Sequence, residues 1–277
     1  MAPTFVVVPQ WQGSISSRAM RLADGAEAIR GDLPESATRV VDVPVEAGDG
    51  QDTGIHRFST LLIVRERMDL ALRFAPDWAL TIGGDCGVSL AAVAHAARKH
   101  PDDLAVVWFD AHTALHTAET SPSGAFNGMV VRAISGEGTD GLALTGDSRV
   151  PIDRFVIAGA RDVDPAEAAV ITERGIATLP VEALGAVESL LDAVRKTGAS
   201  QVYVHIDLDV LDPSVITGLN DLYPFGLSVE SLTSLVTALR ANFGIAGATI
   251  AGFAPASQED AYDDLPNILR VIGALTR

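Results

Sequence analysis

The feature that most constrains the fold is an end-to-end alternation of short apolar runs and longer amphipathic stretches. Short runs rich in Val, Ile and Leu are typical of buried parallel strands, and the stretches between them have helical periodicity. The predicted strands are residues 4–8, 39–43, 78–82, 104–109, 154–158, 176–179, 201–206 and 248–251. The predicted helices are residues 17–29, 57–74, 88–98, 165–174, 181–196, 229–241 and 265–275.

No linker, charge block or internal repeat interrupts this alternation, so residues 1–277 are predicted to form one domain. The pattern predicts a three-layer α/β fold, with a mainly parallel sheet of about eight strands flanked by helices. A hydrophobic share of 48% is ample for its core. Residues 111–128 and 212–227 are long irregular segments that each follow a strand, which is where open parallel sheets bind ligands.

The charge of the chain argues against two classes of partner. It has 20 Lys and Arg against 36 Asp and Glu, a formal charge of −16. Such a surface repels the phosphates of nucleic acids and anionic lipid headgroups. We therefore expect neither a nucleic acid nor a membrane as partner.

The location of the protein is predicted from its single cysteine and its first residues. Cys86 has no second cysteine with which to form an internal disulfide, so nothing indicates an oxidising compartment. The N-terminus lacks a basic region followed by a long apolar stretch, and no apolar run is long enough to span a bilayer. We expect a cytoplasmic protein.

Candidate metal ligands follow three of the predicted strands. They lie in the segments Gly-Gly-Asp-Cys at 83–86, Asp-Ala-His at 110–112 and Asp-Leu-Asp at 207–209. Each aspartate pair alone is also compatible with a helix cap or a surface pair. Together, however, three carboxylates at neighbouring strand ends would repel one another without a cation. Mixed carboxylate and imidazole ligands favour manganese or a similar metal such as zinc, nickel or iron.

These segments resemble the ureohydrolase family of arginases, agmatinases and formiminoglutamases. That family carries G-G-D-H, D-A-H-x-D and D-x-D-x-x-D-P motifs in the same order, and the last stands here at residues 207–213. Residues 123–128 resemble its S-G-x-x-H-G loop, and residues 159–165 are a further match. The resemblance implies an arginase-like fold over residues 1–277. It also implies two bridged metal ions, usually manganese, that activate a water to attack a guanidinium carbon and release urea.

Carried over by motif position, the resemblance implies a ligand set for each ion. Asp110 and Asp207 would bridge the two ions, and His112 and Asp209 would complete one of them. The second ion is expected to be weaker, because Cys86 replaces its histidine and Ala114 replaces its aspartate. A thiolate binds softer metals such as zinc, whereas an alanine methyl binds none. A lone cysteine is also compatible with a small buried apolar residue.

Two further departures concern catalysis. The resemblance places Asp110 and Asn127 in the catalytic machinery, but Asn127 stands where the family has a proton-shuttling histidine. An amide forms hydrogen bonds but carries no proton near neutral pH. Gly252 stands where the family has a glutamate that grips the guanidinium. Arginine itself is therefore predicted to be a poor substrate.

The resemblance also implies three substrate-binding positions. Asp164 matches a family residue that binds the α-amino group of a substrate. Ser123 matches one that binds the α-carboxylate, and His116 replaces an asparagine that binds the same carboxylate. Asp164 before Pro165 is equally compatible with a helix cap. His205, two residues before the Asp207 motif, is a weaker candidate for supporting the ligands from behind.

Two functions follow from these residues. The first is a divergent metal-dependent hydrolase of C–N bonds in a guanidino or modified guanidino compound. A family branch that hydrolyses N-hydroxyarginine also has a cysteine at the first motif and lacks the shuttle histidine, although it keeps the aspartate replaced here by Ala114. The second is a non-catalytic arginase-like protein or regulatory subunit with a degraded metal site. The implied partner is a small guanidino-type substrate. A homo-oligomer is compatible with the sequence.

Overall fold

The computed structural model describes residues 3–75 and 77–277. Its eight strands are β1 Thr4–Val8, β2 Thr38–Val40, β3 Ala79–Gly83, β4 Leu104–Phe109, β5 Phe155–Ala158, β6 Ala177–Leu179, β7 Gln201–Asp207 and β8 Gly244–Ala251. The helices of the described residues are α1 Arg21–Arg30, α2 Phe58–Leu72, α3 Ser89–Lys99, α4 Val130–Ile134, α5 Pro165–Arg174, α6 Val187–Lys196, α7 Val229–Asn242 and α8 Gln258–Thr276.

All eight strands join one sheet in the order β2-β1-β3-β8-β7-β4-β5-β6, and every described pairing is parallel. Alternate strand residues pack into two hydrophobic clusters, one on each face. The first contains side chains of α1, α6, α7 and α8, and the second contains those of α2, α3 and α4. The predicted three-layer α/β fold with about eight strands is thus confirmed.

Several boundaries differ from the sequence prediction, each for a local reason. Helix α8 begins seven residues earlier than predicted, because the Ser257 side chain caps it by accepting from the Asp260 N–H. Strand β8 begins at Gly244 rather than Ala248, since pairing with β7 holds its glycine-rich start extended. Helix α6 begins at Val187, after a 3₁₀ turn at Ala183–Gly185, and the short helix α4 was not predicted.

The sheet order decides which motifs meet. The motif strands β4 and β7 are neighbours, whereas β3 is separated from β7 by β8. The carboxyl ends of these four central strands lie at one edge of the sheet, because all of them run parallel. This edge therefore collects residues 84–86, 110–112, 207–209 and Gly252. Within the described part of the chain, none of the helices combines the length and apolar composition needed to cross a bilayer.

Candidate metal centre

Side chains that could bind a metal ion converge at this edge in two groups that share Asp110. One group is Asp110, His112 and Asp209, and the other is Cys86, Asp110 and Asp207. In each group the possible ligand atoms lie within 4.8 Å of one another. The structure thus brings together the five residues that the sequence analysis put forward as ligands, and the shared Asp110 lies where a bridging carboxylate would be needed.

The His112 group is held together by short contacts. His112 Nδ1 lies 3.1 Å from Asp110 Oδ1 and 3.0 Å from Asp209 Oδ2. Backbone N–H groups fix both carboxylates, since His112 N donates to Asp110 Oδ1 and Ala111 N donates to Asp209 Oδ1. An imidazole nitrogen between two carboxylate oxygens at such distances is compatible with a shared divalent cation.

The Cys86 group is buried and has no carboxylate at position 114. Cys86 is 5% exposed, and its Sγ lies 3.4 Å from the carbonyl oxygen of Asn127. Ala114 lines the same cavity and is itself buried, so only a methyl group stands at that position. Its φ of 51° is in the left-handed region, which aspartate and asparagine adopt more readily than alanine.

The electrostatics of the centre are those of crowded, buried acidic groups. Burial, followed by repulsion from Asp209 and Asp110, raises the pKa of Asp207 well above its usual value. Burial and the Asp209 charge raise the pKa of Asp110 to about 6. Burial and the neighbouring carboxylates also raise the pKa of the Cys86 thiol. All three groups resist ionisation as they stand, and a divalent cation would reverse this.

A further aspartate supports the cysteine loop. Asp85 is buried and accepts hydrogen bonds from Gln10 Nε2 at 2.9 Å, from Gly13 N at 2.8 Å and from Gly87 N at 2.8 Å. Burial raises its pKa to about 6, although these hydrogen bonds lower it. Asp85 therefore ties the β1 loop to the start of the Cys86 turn and so positions the thiol.

Two aromatic residues lie behind Asp110. Trp108 Nε1 donates to Asp110 Oδ2 at 2.9 Å, and the His205 ring stacks on Trp108 with centroids 3.5 Å apart. His205 Nδ1 lies 2.8 Å from Ser89 Oγ, whereas its Nε2 has no hydrogen-bond partner and lies 4.0 Å from Asp110 Oδ2. The imidazole of His205 is thus buried beside the carboxylate of Asp110, at the position from which the sequence analysis suggested that it could support the ligands.

Arg161 organises the loops around Asp209. Its guanidinium donates to the carbonyl oxygens of Gly159, Asp209, Val210 and Tyr223. These bonds connect the end of β5 with the turn after β7 and with the segment that carries Tyr223. The sequence analysis gave Arg161 no role, because nothing in its motif shows which carbonyl groups the fold brings to it.

The Cα of Gly252 lies against the side chain of Asp207. Its φ is 87°, and a Cβ added there would overlap Asp207 Oδ1 and lie 2.8 Å from Asp207 Cγ. Its N–H donates to the carbonyl oxygen of Gly84 at 2.9 Å. This position therefore leaves no room for a side chain without displacing Asp207.

The three predicted substrate-binding residues line the same cavity, together with Glu167, which was not predicted. His116 Nε2 lies 2.9 Å from Asp164 Oδ2 and 4.0 Å from Glu167 Oε2. Asp164 and Glu167 form a complete capping box at the start of α5, so the helix-cap interpretation of Asp164 is confirmed. The Asp-Pro-Ala-Glu spacing at 164–167 was the signal that could have found Glu167.

The candidate metal ligands and the predicted substrate-binding residues line one cavity of about 530 Å³. Its walls include the five metal-ligand candidates together with Ala114, His116, Ser123, Asn127, Asp164, Glu167, Tyr223 and Gly252. Ser123 accepts a hydrogen bond from Ala125 N at 3.2 Å, and Asn127 N donates to Gly13 O. A small molecule in this cavity could contact both the Asp110 centre and His116.

Comparison with known proteins agrees with this geometry. Residues 19–264 match the arginase family. An arginase of Staphylococcus aureus is 28% identical over 193 residues, 66% of this chain and 62% of that protein. This chain therefore spans slightly under two thirds of that relative's length. The N(omega)-hydroxy-L-arginine amidinohydrolase of Streptomyces lavendulae is 28% identical over 268 residues, 94% of this chain and 93% of that protein.

Solved structures share the fold. The arginase of Entamoeba histolytica superimposes with a TM-score of 0.84 at 20% identity, covering 98% of this chain and 97% of that one. The arginase of Bacillus caldovelox gives a TM-score of 0.84 at 23% identity, covering 99% and 98%. With a family match over residues 19–264 and the ordered motifs at one sheet edge, the chain belongs to the arginase family.

Proposed function

We propose that this protein is a divergent metal-dependent hydrolase that cleaves a C–N bond of a guanidino or modified guanidino compound. The observation that carries this proposal is the convergence of Cys86, Asp110, His112, Asp207 and Asp209 at the base of one cavity. Buried carboxylates this close together are costly to keep without a cation, so their clustering supports a metal-dependent role.

The donor set fits a divalent metal at two unequal positions. Asp110, His112 and Asp209, with Asp207 as second bridge, would hold one ion of manganese, or of zinc, nickel or iron. Cys86 would hold a second with the same bridging carboxylates. The raised pKa values of Asp110, Asp207 and Cys86 reflect burial and mutual repulsion that a cation would relieve. Because Ala114 adds no carboxylate, the His112 position should fill first, and the Cys86 position should be empty, weak or selective for zinc.

The proposed chemistry is hydrolysis. A divalent ion in such a centre polarises the substrate and lowers the pKa of water. The chain contributes the rest: Asp110 and Asp207 hold the centre, Trp108 fixes Asp110, and the cavity aligns the substrate. Asn127 offers an amide that orients a polar group but carries no proton. A substrate that needs no shuttle is therefore favoured.

An N-hydroxylated guanidine is the substrate class that fits these departures. The pKa of an N-hydroxyguanidine is lower than that of a guanidine. Hydrolysis of such a compound should therefore depend less on the shuttle histidine that Asn127 replaces and on the glutamate that Gly252 replaces. The relative from Streptomyces lavendulae, similar over nearly the whole chain, is named for hydrolysis of such a compound. Gly252 supports the same choice, since Asp207 occupies the space that a glutamate side chain would need. The net charge of −16 supports a small-molecule partner over nucleic acid, and the lone Cys86 supports a cytoplasmic location.

The test combines metal content with urea release. Protein purified without chelator is analysed for metal per chain, and urea is measured from N-hydroxyarginine and from arginine with added manganese or zinc. Replacement His112→Asn should lower metal content and abolish urea release. His100→Asn, at a histidine outside the cavity, is the matched control. Bound metal without hydrolysis of either compound would favour the non-catalytic alternative and overturn the proposal.

A further inference from the structure

The imidazole of His205 has a ring nitrogen without a partner inside the core. His205 is 0% exposed, and its Nε2 forms no hydrogen bond with the described residues. The other ring nitrogen, Nδ1, lies 2.8 Å from the hydroxyl oxygen of Ser89, which is equally buried. Polar groups this deep in a protein nearly always have a partner, so the unpaired Nε2 calls for a specific explanation.

The ring of His205 has little freedom to turn Nε2 elsewhere. It stacks on the indole of Trp108, with centroids 3.5 Å apart and planes 17° apart. Trp108 on β4 and Thr249 on β8 are its neighbours in the register of the sheet. The hydroxyl of Thr249 pairs with the hydroxyl of Tyr203 at 2.6 Å rather than with His205. The imidazole is therefore fixed by its stack and by Ser89.

The carboxylate of Asp110 is the acidic group beside Nε2. Its Oδ2 lies 4.0 Å from His205 Nε2 and accepts a hydrogen bond from Trp108 Nε1 at 2.9 Å. A carboxylate oxygen has two lone pairs, so Oδ2 can accept a second hydrogen bond. An approach of about 1 Å would bring Nε2 and Oδ2 to hydrogen-bond distance. Asp110 belongs to both groups of candidate ligands, so a donor at this point would act on both metal positions.

Electrostatics select one tautomer of His205. A buried imidazolium without a hydrogen-bonded anion is costly, so the ring is neutral and has one N–H and one lone pair. With the hydrogen on Nδ1, the lone pair of Nε2 would lie beside the carboxylate of Asp110, which is repulsive. With the hydroxyl of Ser89 donating to Nδ1, the hydrogen is on Nε2 and the interaction with Asp110 is attractive. The second arrangement is favoured.

We propose that His205 is a positioning residue for Asp110, with Ser89 donating to Nδ1 and the Nε2–H donating to Asp110 Oδ2 when a cation binds. Ser89 is the first residue of α3 and directly follows the turn Cys86–Val88. The Ser89–His205 pair therefore also connects the segment that carries Cys86 with the end of β4. This inference rests on the metal-dependent part of the proposed function, but it concerns the orientation of a ligand and not the reaction.

The tautomer is tested without metal. Nitrogen-15 NMR of the imidazoles is recorded on chelator-treated protein, and the signals of His205 are assigned as those lost in His205→Gln. We expect the hydrogen on Nε2. Ser89→Ala should convert His205 to a mixture of tautomers, because the donor to Nδ1 is gone. Thr249→Ala, which removes a buried hydroxyl not bonded to His205, is the matched control and should leave the tautomer unchanged.

The effect on Asp110 is tested by manganese titration of two isosteric variants. The amide nitrogen of glutamine can take the place of Nε2, whereas that of asparagine takes the place of Nδ1. His205→Asn should lower manganese affinity by about 10- to 100-fold. His205→Gln should stay within about threefold of the unmodified protein, because an amide N–H can donate to Asp110. Ser89→Ala should lower the affinity by about 2- to 10-fold, the net worth of one hydrogen bond, and Thr249→Ala should not.

Unfolding free energies of the metal-free variants separate this role from a purely structural one. Asparagine and glutamine should destabilise the metal-free protein similarly while differing in metal affinity. Equal manganese affinity of these two variants, or an Nδ1–H tautomer in the unmodified protein, would overturn the inference and leave the proposed function standing. Failure of the unmodified protein to bind manganese or zinc would overturn both. The expected affinities without urea release from either compound would sink only the proposed reaction.

Discussion

Replacing Gly252 with alanine should destabilise the protein through its contact with Asp207. A non-glycine residue in the left-handed region, such as φ 87°, costs about 1–2 kcal/mol. The new Cβ would also overlap Asp207 Oδ1, so Asp207 must move and weaken the hydrogen bond that Oδ1 accepts from Asp209 N at 3.2 Å. Losing a buried hydrogen bond costs about 1–3 kcal/mol. The expected total is roughly 2–5 kcal/mol.

Gly198 provides the matched control. Its φ of 77° is similar, but a Cβ there would meet no atom within 4 Å. Gly198→Ala should therefore show the backbone cost alone, about 1–2 kcal/mol. Urea denaturation of both variants, with and without chelator, gives the difference in unfolding free energy, and metal analysis gives occupancy. We expect Gly252→Ala to be less stable than Gly198→Ala and to retain less metal.

Equal stability and equal metal content in the two variants would refute this reasoning. It would mean that Asp207 moves aside at no cost and does not contribute to a metal site. The same geometry predicts that Gly252→Glu alone will not create a binding site for a guanidinium group. Its Cβ would already overlap Asp207, whatever contacts the new carboxylate could make.

Three further predictions follow. Ala114→Asp should raise metal content toward two ions per chain, as determined by elemental analysis, because aspartate tolerates the φ of 51° and restores an anionic ligand; unchanged stoichiometry would contradict this. Arginine should release urea slowly, since losing a positioned acid or base costs about 10²- to 10⁴-fold, and Asn127→His should raise that rate; fast release by the unmodified protein would show that Asn127 is misassigned. Arg161→Met should lower metal affinity by about 10- to 100-fold, because Arg161 donates to the Asp209 carbonyl; titration with manganese measures this, and unchanged affinity would speak against it.

Local patterns were enough to predict the architecture. Periodicity located all eight strands, and the central ones are the buried apolar runs typical of a parallel sheet. The ordered motifs also identified Cys86, Asp110, His112, Asp207 and Asp209 as a group before any contact was known. A motif carries this information because residues at the end of a strand must project from the edge of the sheet.

Tertiary structure decided the contacts between distant segments. The insertion of β8 between β3 and β7 sets Gly252 against Asp207, and the sequence shows neither the strand order nor that overlap. The pairing of His116 with Asp164, and the four carbonyl groups that Arg161 binds, likewise join segments that are separate in the chain. Such contacts depend on how whole elements pack, so residue types and their spacing could predict the metal ligands but not the recognition of the rest of a substrate.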